Sequence, residues 1–316
     1  MCLSASDAYY VRKYPTSGET QMPTIQTNGI ETYYERRGEG PPIVFVHGAM
    51  LDHSMWEPQI ERFAETYETI VYDLRGHGRT GGSEVSSYSA DLWADDLHSL
   101  IEGLGLERPV VCGHSLGGMV AQVYATKYPD GLSGLVLADT FVPERLHWSE
   151  RLNALMLWST IIPVRLFGLA RIQRVMLRIT TLFDDEDAAG DYATIERLQS
   201  EMPPIPAEEF AKIVRAILAF YRQGEGDYRS IAVPTLVMHG ENTMGISRRH
   251  CEKLAREIPD ASLRVVPGGG HASNLDDPEF YSDAIAELLG RIDYDPVDAS
   301  DGSLSEQATA DGGDEC

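Results

Sequence analysis

Val110-Val111-Cys112-Gly113-His114-Ser115-Leu116-Gly117-Gly118 is the stretch that decides the fold. Apolar, mostly β-branched residues run into Gly-x-Ser-x-Gly, and Met119, Val120, Val123 and Tyr124 follow at helical spacing. The pattern predicts a strand, a sharp turn and a helix. A serine held on so tight a turn needs neighbours without bulk, so that strand and helix can pass closely. Ser115 is then left exposed above the sheet edge, at a helix N-terminus whose free N–H groups stabilise negative charge.

Outward from this stretch the chain alternates. Upstream, residues 24–27 and 32–36 read as short strands around Asn28-Gly29, a pair that supplies the positive φ values of a tight hairpin. Residues 43–46 form a fully apolar run that ends in His47-Gly48-Ala49, and residues 69–72 form another that ends in Asp73-Leu74-Arg75-Gly76-His77-Gly78. Continuous runs of this kind mark strands buried on both faces of a parallel sheet. Helices are predicted over residues 54–67 and 87–103, the second with Asp91, Asp95 and Asp96 enriching its first half as the macrodipole favours. Downstream come a strand over 132–138 ending at Asp139, a strand over 233–239, a helix over 247–258, a strand over 262–266 and a helix over 278–290. Between 141 and 230 the alternation stops, and only helical segments broken by Pro163, Pro203, Pro204, Pro206 and Gly224 are read there.

Composition narrows the class. The 316 residues carry 49 acidic against 26 basic side chains, a formal charge of −23, which argues against nucleic-acid binding because phosphates would be repelled. Such an acid excess also suits a salt-rich cytosol, where a Debye length of about 3 Å at 1 M screens the self-repulsion. A halophilic, cytoplasmic protein is therefore expected. The first 24 residues lack the basic start and apolar middle of a signal peptide, and no run of 18 apolar residues occurs. Cys2, Cys112, Cys251 and Cys316 fit neither a metal spacing nor a disulfide framework. Residues 294–316 hold seven acids and no lysine or arginine, the composition of a disordered tail.

The Gly-x-Ser-x-Gly turn resembles the nucleophile elbow of the α/β-hydrolase superfamily, and His47-Gly48, the Asp-x-Arg-Gly-His-Gly segment and the strand rhythm resemble it too. The resemblance spans residues 24–290. It implies a mostly parallel central sheet flanked by helices, with a core of residues 24–140 and 231–293, a helical cap at 141–230 inserted over the active site, and a loose arm at 1–23. Ser115 would be the nucleophile, and the N–H groups of Ala49 and Leu116 would hold the oxyanion. His47 is expected to bond neighbouring loop backbone, and His77 to shape its loop. His271 follows Pro267-Gly268-Gly269-Gly270, a loop that lets an imidazole reach back over the sheet edge, and the superfamily places its histidine last in chain order.

The acid departs from the commoner pattern, which sets Asp or Glu three residues beyond the glycine ending the penultimate strand. In His239-Gly240-Glu241-Asn242-Thr243 that place is Thr243, which cannot stabilise an imidazolium as a carboxylate does. Some members draw the acid from the end of the strand after the elbow helix, which here is Asp139; Glu241 is the alternative. The expected reaction is cleavage of an ester, lactone or thioester through an acyl-enzyme, with no metal or cofactor. Ligand binding without turnover, cofactor-free haloperoxidase chemistry and carbon–carbon bond hydrolysis remain as alternatives on the same fold. The expected partner is a small-molecule substrate with an apolar portion.

One segment inverts the charge balance. From Arg151 to Phe183 there are five arginines, Arg151, Arg165, Arg171, Arg174 and Arg178, and no Asp or Glu. Arg171, Arg174 and Arg178 share one helical face and Ile172, Val175, Met176 and Ile179 another. The arginines either pair with acids such as Asp184, Asp185, Glu186 and Asp187 or with the core, or receive an anionic substrate group, or rest on an anionic membrane surface.

Overall fold

The computed structural model describes residues 23–180, 192–224 and 226–294. The expected arm and tail, apart from Pro23 and Tyr294, lie outside the described residues, as do Asp184 to Asp187. Among the described residues, eight strands form one sheet: β1 (Thr24–Thr27), β2 (Ile30–Arg37), β3 (Pro42–Val46), β4 (Glu68–Tyr72), β5 (Val110–His114), β6 (Gly134–Ala138), β7 (Thr235–Gly240) and β8 (Ala261–Val266). Their spatial order is β1-β2-β4-β3-β5-β6-β7-β8. β1 and β2 pair antiparallel, as do β2 and β4, and every other neighbouring pair is parallel. Asn28 and Gly29 turn the first hairpin at φ 38° and 81°.

The apolar runs are explained by what lies on each face. Successive strand residues point to opposite sides, so Val44, Val46, Val111, Leu135, Leu137 and Val237 face one core and Ile43, Phe45, Val110, Cys112, Val136 and Leu236 the other. Helices α2 (Ala90–Gly103), α3 (Leu116–Lys127) and α9 (Gly245–Glu257) cover the first face. Helices α1 (Glu57–Phe63) and α11 (Pro278–Leu289) cover the second. The single helix expected over 54–67 is a 3-10 turn, His53–Trp56, followed by α1, because Asp52 caps the Ser54 amide at 3.1 Å and Pro58 restarts the helix. Among the described residues, five helices are inserted between β6 and β7: α4 (Trp148–Ser159), α5 (Ile161–Phe167), α6 (Leu169–Thr180), α7 (Tyr192–Glu201) and α8 (Ala207–Phe220). A four-residue helix, α10 (Ser273–Asp276), follows the loop that bears His271.

Buried ion pairs brace the antiparallel edge, and the acids of α2 belong partly to them. Asp96 is buried and takes two hydrogen bonds from Arg75, at 2.7 and 2.8 Å, while Arg75 also donates to the Asn28 carbonyl. Its place is therefore set by Arg75 of the Asp-x-Arg-Gly-His-Gly loop, not by the helix dipole. His53 lies between Asp73, 2.7 Å from Nδ1, and Glu35, 3.2 Å from Nε2. Burial opposes its charge, but the two carboxylates raise its pKa to about 10. Burial likewise works against Glu35, yet its hydrogen bonds, His53's first, hold it well below the usual carboxylate range.

A pH dependence of stability follows. His53 has a folded pKa above its unfolded value, so its contribution is complete below about pH 6.5 and is lost as pH rises through about 10. The thermal midpoint should fall across that window, and His53→Asn should flatten the fall. A midpoint equally steep in the variant would refute the assignment.

Candidate active site

The parallel strands present their C-terminal ends along one edge, the place where ligands bind in open α/β sheets. At the end of β5, Ser115 takes φ 52° and ψ −112°, a conformation few side chains adopt. Its amide donates to the Ala138 carbonyl of β6 at 2.9 Å, and its own carbonyl accepts from the Thr140 hydroxyl at 2.8 Å. The flanking glycines have a steric reason. A methyl group on Gly117 would strike the Val46 carbonyl, and one on Gly113 would strike the Gly117 carbonyl. Positive φ at non-glycine residues occurs at five described positions, and three of them, Met50, Ser115 and Asp139, stand at this edge. Strain of that kind costs on the order of 1–3 kcal/mol per residue and gathers where function over-determines the backbone.

The structure brings Ser115 and His271 together. The Ser115 hydroxyl and His271 Nε2 are 3.0 Å apart. Burial, with the nearby His114 adding repulsion, lowers the His271 pKa to about 3. The imidazole is thus neutral at physiological pH and free to take a proton. Gly48 packs beside this pair: a Cβ built on it would stand 3.5 Å from the Ser115 Cβ. Ala49 follows it, half-buried, and Leu116 opens α3, where its amide has no intrahelical carbonyl behind it.

The acid is not brought to the histidine. His271 Nδ1 is buried and has no hydrogen-bond partner among the described residues. Asp139, fully buried at the end of β6, accepts instead from Ser273 Oγ at 2.5 Å and from the Gly240 amide at 3.1 Å. Burial raises its pKa to about 7, against the pull of those bonds. Glu241 is exposed, with its carboxylate accepting from the Gly268 amide at 2.9 Å. It secures the glycine loop. Thr243 is buried beside Asp139, and its hydroxyl favours the carboxylate's charged form without a well-aligned hydrogen bond.

His47 and His77 are placed by backbone. The Leu74 amide donates to His47 Nε2 at 2.9 Å, so the ring's proton sits on Nδ1 and is donated to the Gly48 carbonyl at 2.8 Å. His77 lies 3.3 Å from the Arg75 carbonyl and is buried, with its pKa lowered to about 3 by burial and by His47. Sequence reasoning missed His114, Phe141 and Ser273. His114 Nε2 donates to the His271 carbonyl at 2.6 Å, and the Phe141 ring lies 5.8 Å from the His271 ring. His114 occupies the variable second position of Gly-x-Ser-x-Gly, so nothing in the motif signals its contact 157 residues away.

Among the described residues, two clefts are bounded by cap side chains without Ser115 or His271 in their lining. One, of about 660 Å³, is bounded by Arg145, Arg151, Leu155, Trp158, Tyr221 and Arg222. The other, of about 620 Å³, reaches from Met50 to Phe167, Arg171, Arg174 and Gln199. Met50 follows Ala49, so the second cleft leads toward the Gly48 loop.

With this geometry in view, comparison with known proteins is decisive for the family: the alpha/beta hydrolase family model matches residues 43–284. The chain belongs to the alpha/beta hydrolase family. This hydrolase is 29% identical to the 2-(acetamidomethylene)succinate hydrolase of Mesorhizobium japonicum over 286 residues, 84% of this chain and 94% of that one. It is 26% identical to a putative non-heme chloroperoxidase of Synechocystis, with 83% and 94% covered. Among solved structures, a thermophilic esterase from Thermogutta terrifontis superposes with a TM-score of 0.70 at 30% identity, covering 86% of the hydrolase and 99% of the esterase.

Proposed function

We propose that this hydrolase cleaves a carboxylic ester, lactone or thioester through a covalent acyl-enzyme formed on Ser115. The 3.0 Å contact between Ser115 Oγ and His271 Nε2 is the observation that carries the reading. Neutral His271 takes the serine proton as Oγ attacks the carbonyl carbon, and the oxyanion is held by the N–H groups of Ala49 and Leu116. His271 then gives the proton to the departing alcohol or thiol, and water repeats the sequence to free the acid. Asp139 compensates the imidazolium charge. Its support is a fully buried carboxylate linked through Ser273 to the segment that bears His271. The neighbours support this reading: one similar structure is an esterase, and one similar protein is a 2-(acetamidomethylene)succinate hydrolase.

The partnerless Nδ1 and Thr243 at the commoner acid position favour a second reading, ligand binding without turnover. A fluorophosphonate ester separates the two, because only an activated serine displaces its fluoride rapidly. Mass spectrometry should find one phosphonylated site at Ser115, absent in Ser115→Ala and slowed in His271→Ala. An unlabelled parent protein would refute the hydrolase mechanism and favour the binding protein.

A further inference from the structure

Several large apolar side chains of the cap are exposed. On α4, Trp148, Leu152, Leu155 and Met156 recur at helical spacing and so share one face, and on α5 Ile162 and Leu166, one turn apart, share another. All are more than half exposed, Trp148 at 83%. Trp158 and Phe167, at 51% and 56%, flank them. The opposite side of α5 packs inward through Ile161 and Val164. A monomeric soluble protein rarely leaves so many large apolar side chains uncovered on neighbouring helices.

Most arginines of the same segment are without ion pairs among the described residues, although Arg151 and Arg174 each donate to a backbone carbonyl of their own segment. Arg165 pairs with Glu208 at 2.8 Å, but Arg151, Arg171 and Arg174 have no ion-pair partner among the described residues. In a chain of net charge −23, the stretch from Arg151 to Phe183 contains no acid.

We propose that α4 to α6 form a docking surface for an anionic lipid bilayer, with the apolar stripe and both tryptophans entering the interface and the arginines meeting lipid phosphates. Interfacial helices combine these elements: Trp, Phe and Leu on one face and arginine beside them. Charge selects the occupant. A second copy docking through the same patch would set arginine cluster against arginine cluster, because a two-fold contact opposes each patch to itself. The acidic stretch from Tyr294 to Cys316 offers charge but only Val297 and Leu304 as aliphatic side chains beyond alanine, too few to cover eight large apolar groups. Repulsion from the acidic remainder is local, since the Debye length is about 8 Å at physiological salt. The attachment is peripheral: no described helix is long and apolar enough to cross a membrane. The 660 Å³ cleft, lined by Leu155 and Trp158, opens beside this face.

The tryptophans supply the readout. Trp56 and Trp93 are fully buried, so changes in quenching report on Trp148 and Trp158. Phosphatidylcholine vesicles containing about a quarter phosphatidylglycerol should sediment the full-length protein, shift its emission to the blue and reduce acrylamide quenching, whereas phosphatidylcholine alone should do none of these. Arg171→Gln with Arg174→Gln should weaken partitioning about 30-fold. Trp148→Glu with Leu152→Glu should weaken it on the order of 100-fold, with the thermal midpoint and the rate of fluorophosphonate labelling unchanged. Equal binding to both vesicles, unshielded tryptophans, or variants that bind like the parent would overturn the proposal. So would a dimer in sedimentation equilibrium that the Trp148→Glu, Leu152→Glu variant disperses. Because vesicle binding is read without turnover, its failure leaves the hydrolase reading untouched.

Discussion

Ser115→Ala should lower kcat by on the order of 10⁵- to 10⁶-fold, and adding His271→Ala to it should cost little more. The expectation comes from the geometry of the pair. Ser115 Oγ and His271 Nε2 are 3.0 Å apart, and each is inert without the other: the hydroxyl is a weak nucleophile at its own pKa, and the imidazole has no other proton to remove. Groups that act as a unit give losses far from additive. What survives in the double variant is binding and the oxyanion donors, worth roughly 10³- to 10⁴-fold over water. Losses that multiply would mean that the two side chains serve separate steps. The folded state should tolerate the change, since the strain at Ser115 is set by backbone bonds to Ala138 and Thr140 that alanine leaves in place.

The parts of this site that were legible in the sequence are those written as local backbone chemistry. Gly113 and Gly117 announce the elbow because no other residue lets β5, α3 and the end of β3 pass so closely. Asn28-Gly29 announces its hairpin by the same logic of φ. The parallel sheet was legible because strands covered on both faces are apolar throughout. Contacts between distant segments left no such trace. His114 meets His271 across 157 residues, and Asp96 meets Arg75 across a loop and half a helix. A local pattern could only assign Asp96 to the dipole of its own helix. The acid is the clearest case: sequence offers Asp139 and Glu241 as carboxylates near strand ends, but only packing reveals that one is sealed from water while the other ties down Gly268. The outward apolar face of α4 was equally hidden, because periodicity tells which residues share a side of a helix and not which side meets the protein.

Asp139→Asn should lower kcat by roughly 10³- to 10⁴-fold while raising the thermal midpoint, and the two effects have one cause. Burial lifts the Asp139 pKa to about 7 against an ordinary 3.8. The folded protein therefore binds this proton more tightly than the unfolded chain, so the group destabilises the fold by an amount that is absent below about pH 3.8, grows through the interval and is complete above about pH 7. At about 1.4 kcal/mol per unit this is on the order of 4 kcal/mol at alkaline pH. Asparagine removes the charge and keeps an oxygen for the Gly240 amide, so the variant's advantage in melting should be greatest at pH 8 and shrink toward pH 4. Activity should run the other way. If the charged carboxylate steadies the imidazolium, the parent's kcat/KM should rise with pH through about 7, well above the His271 value of about 3, and that limb should vanish in the variant. Glu241→Gln should reduce kcat far less, because its carboxylate serves the Gly268 amide. A variant at Asp139 that kept both its rate and the limb near pH 7, or a larger loss at Glu241 than at Asp139, would exclude Asp139 as the acid and leave its buried charge with a structural role alone.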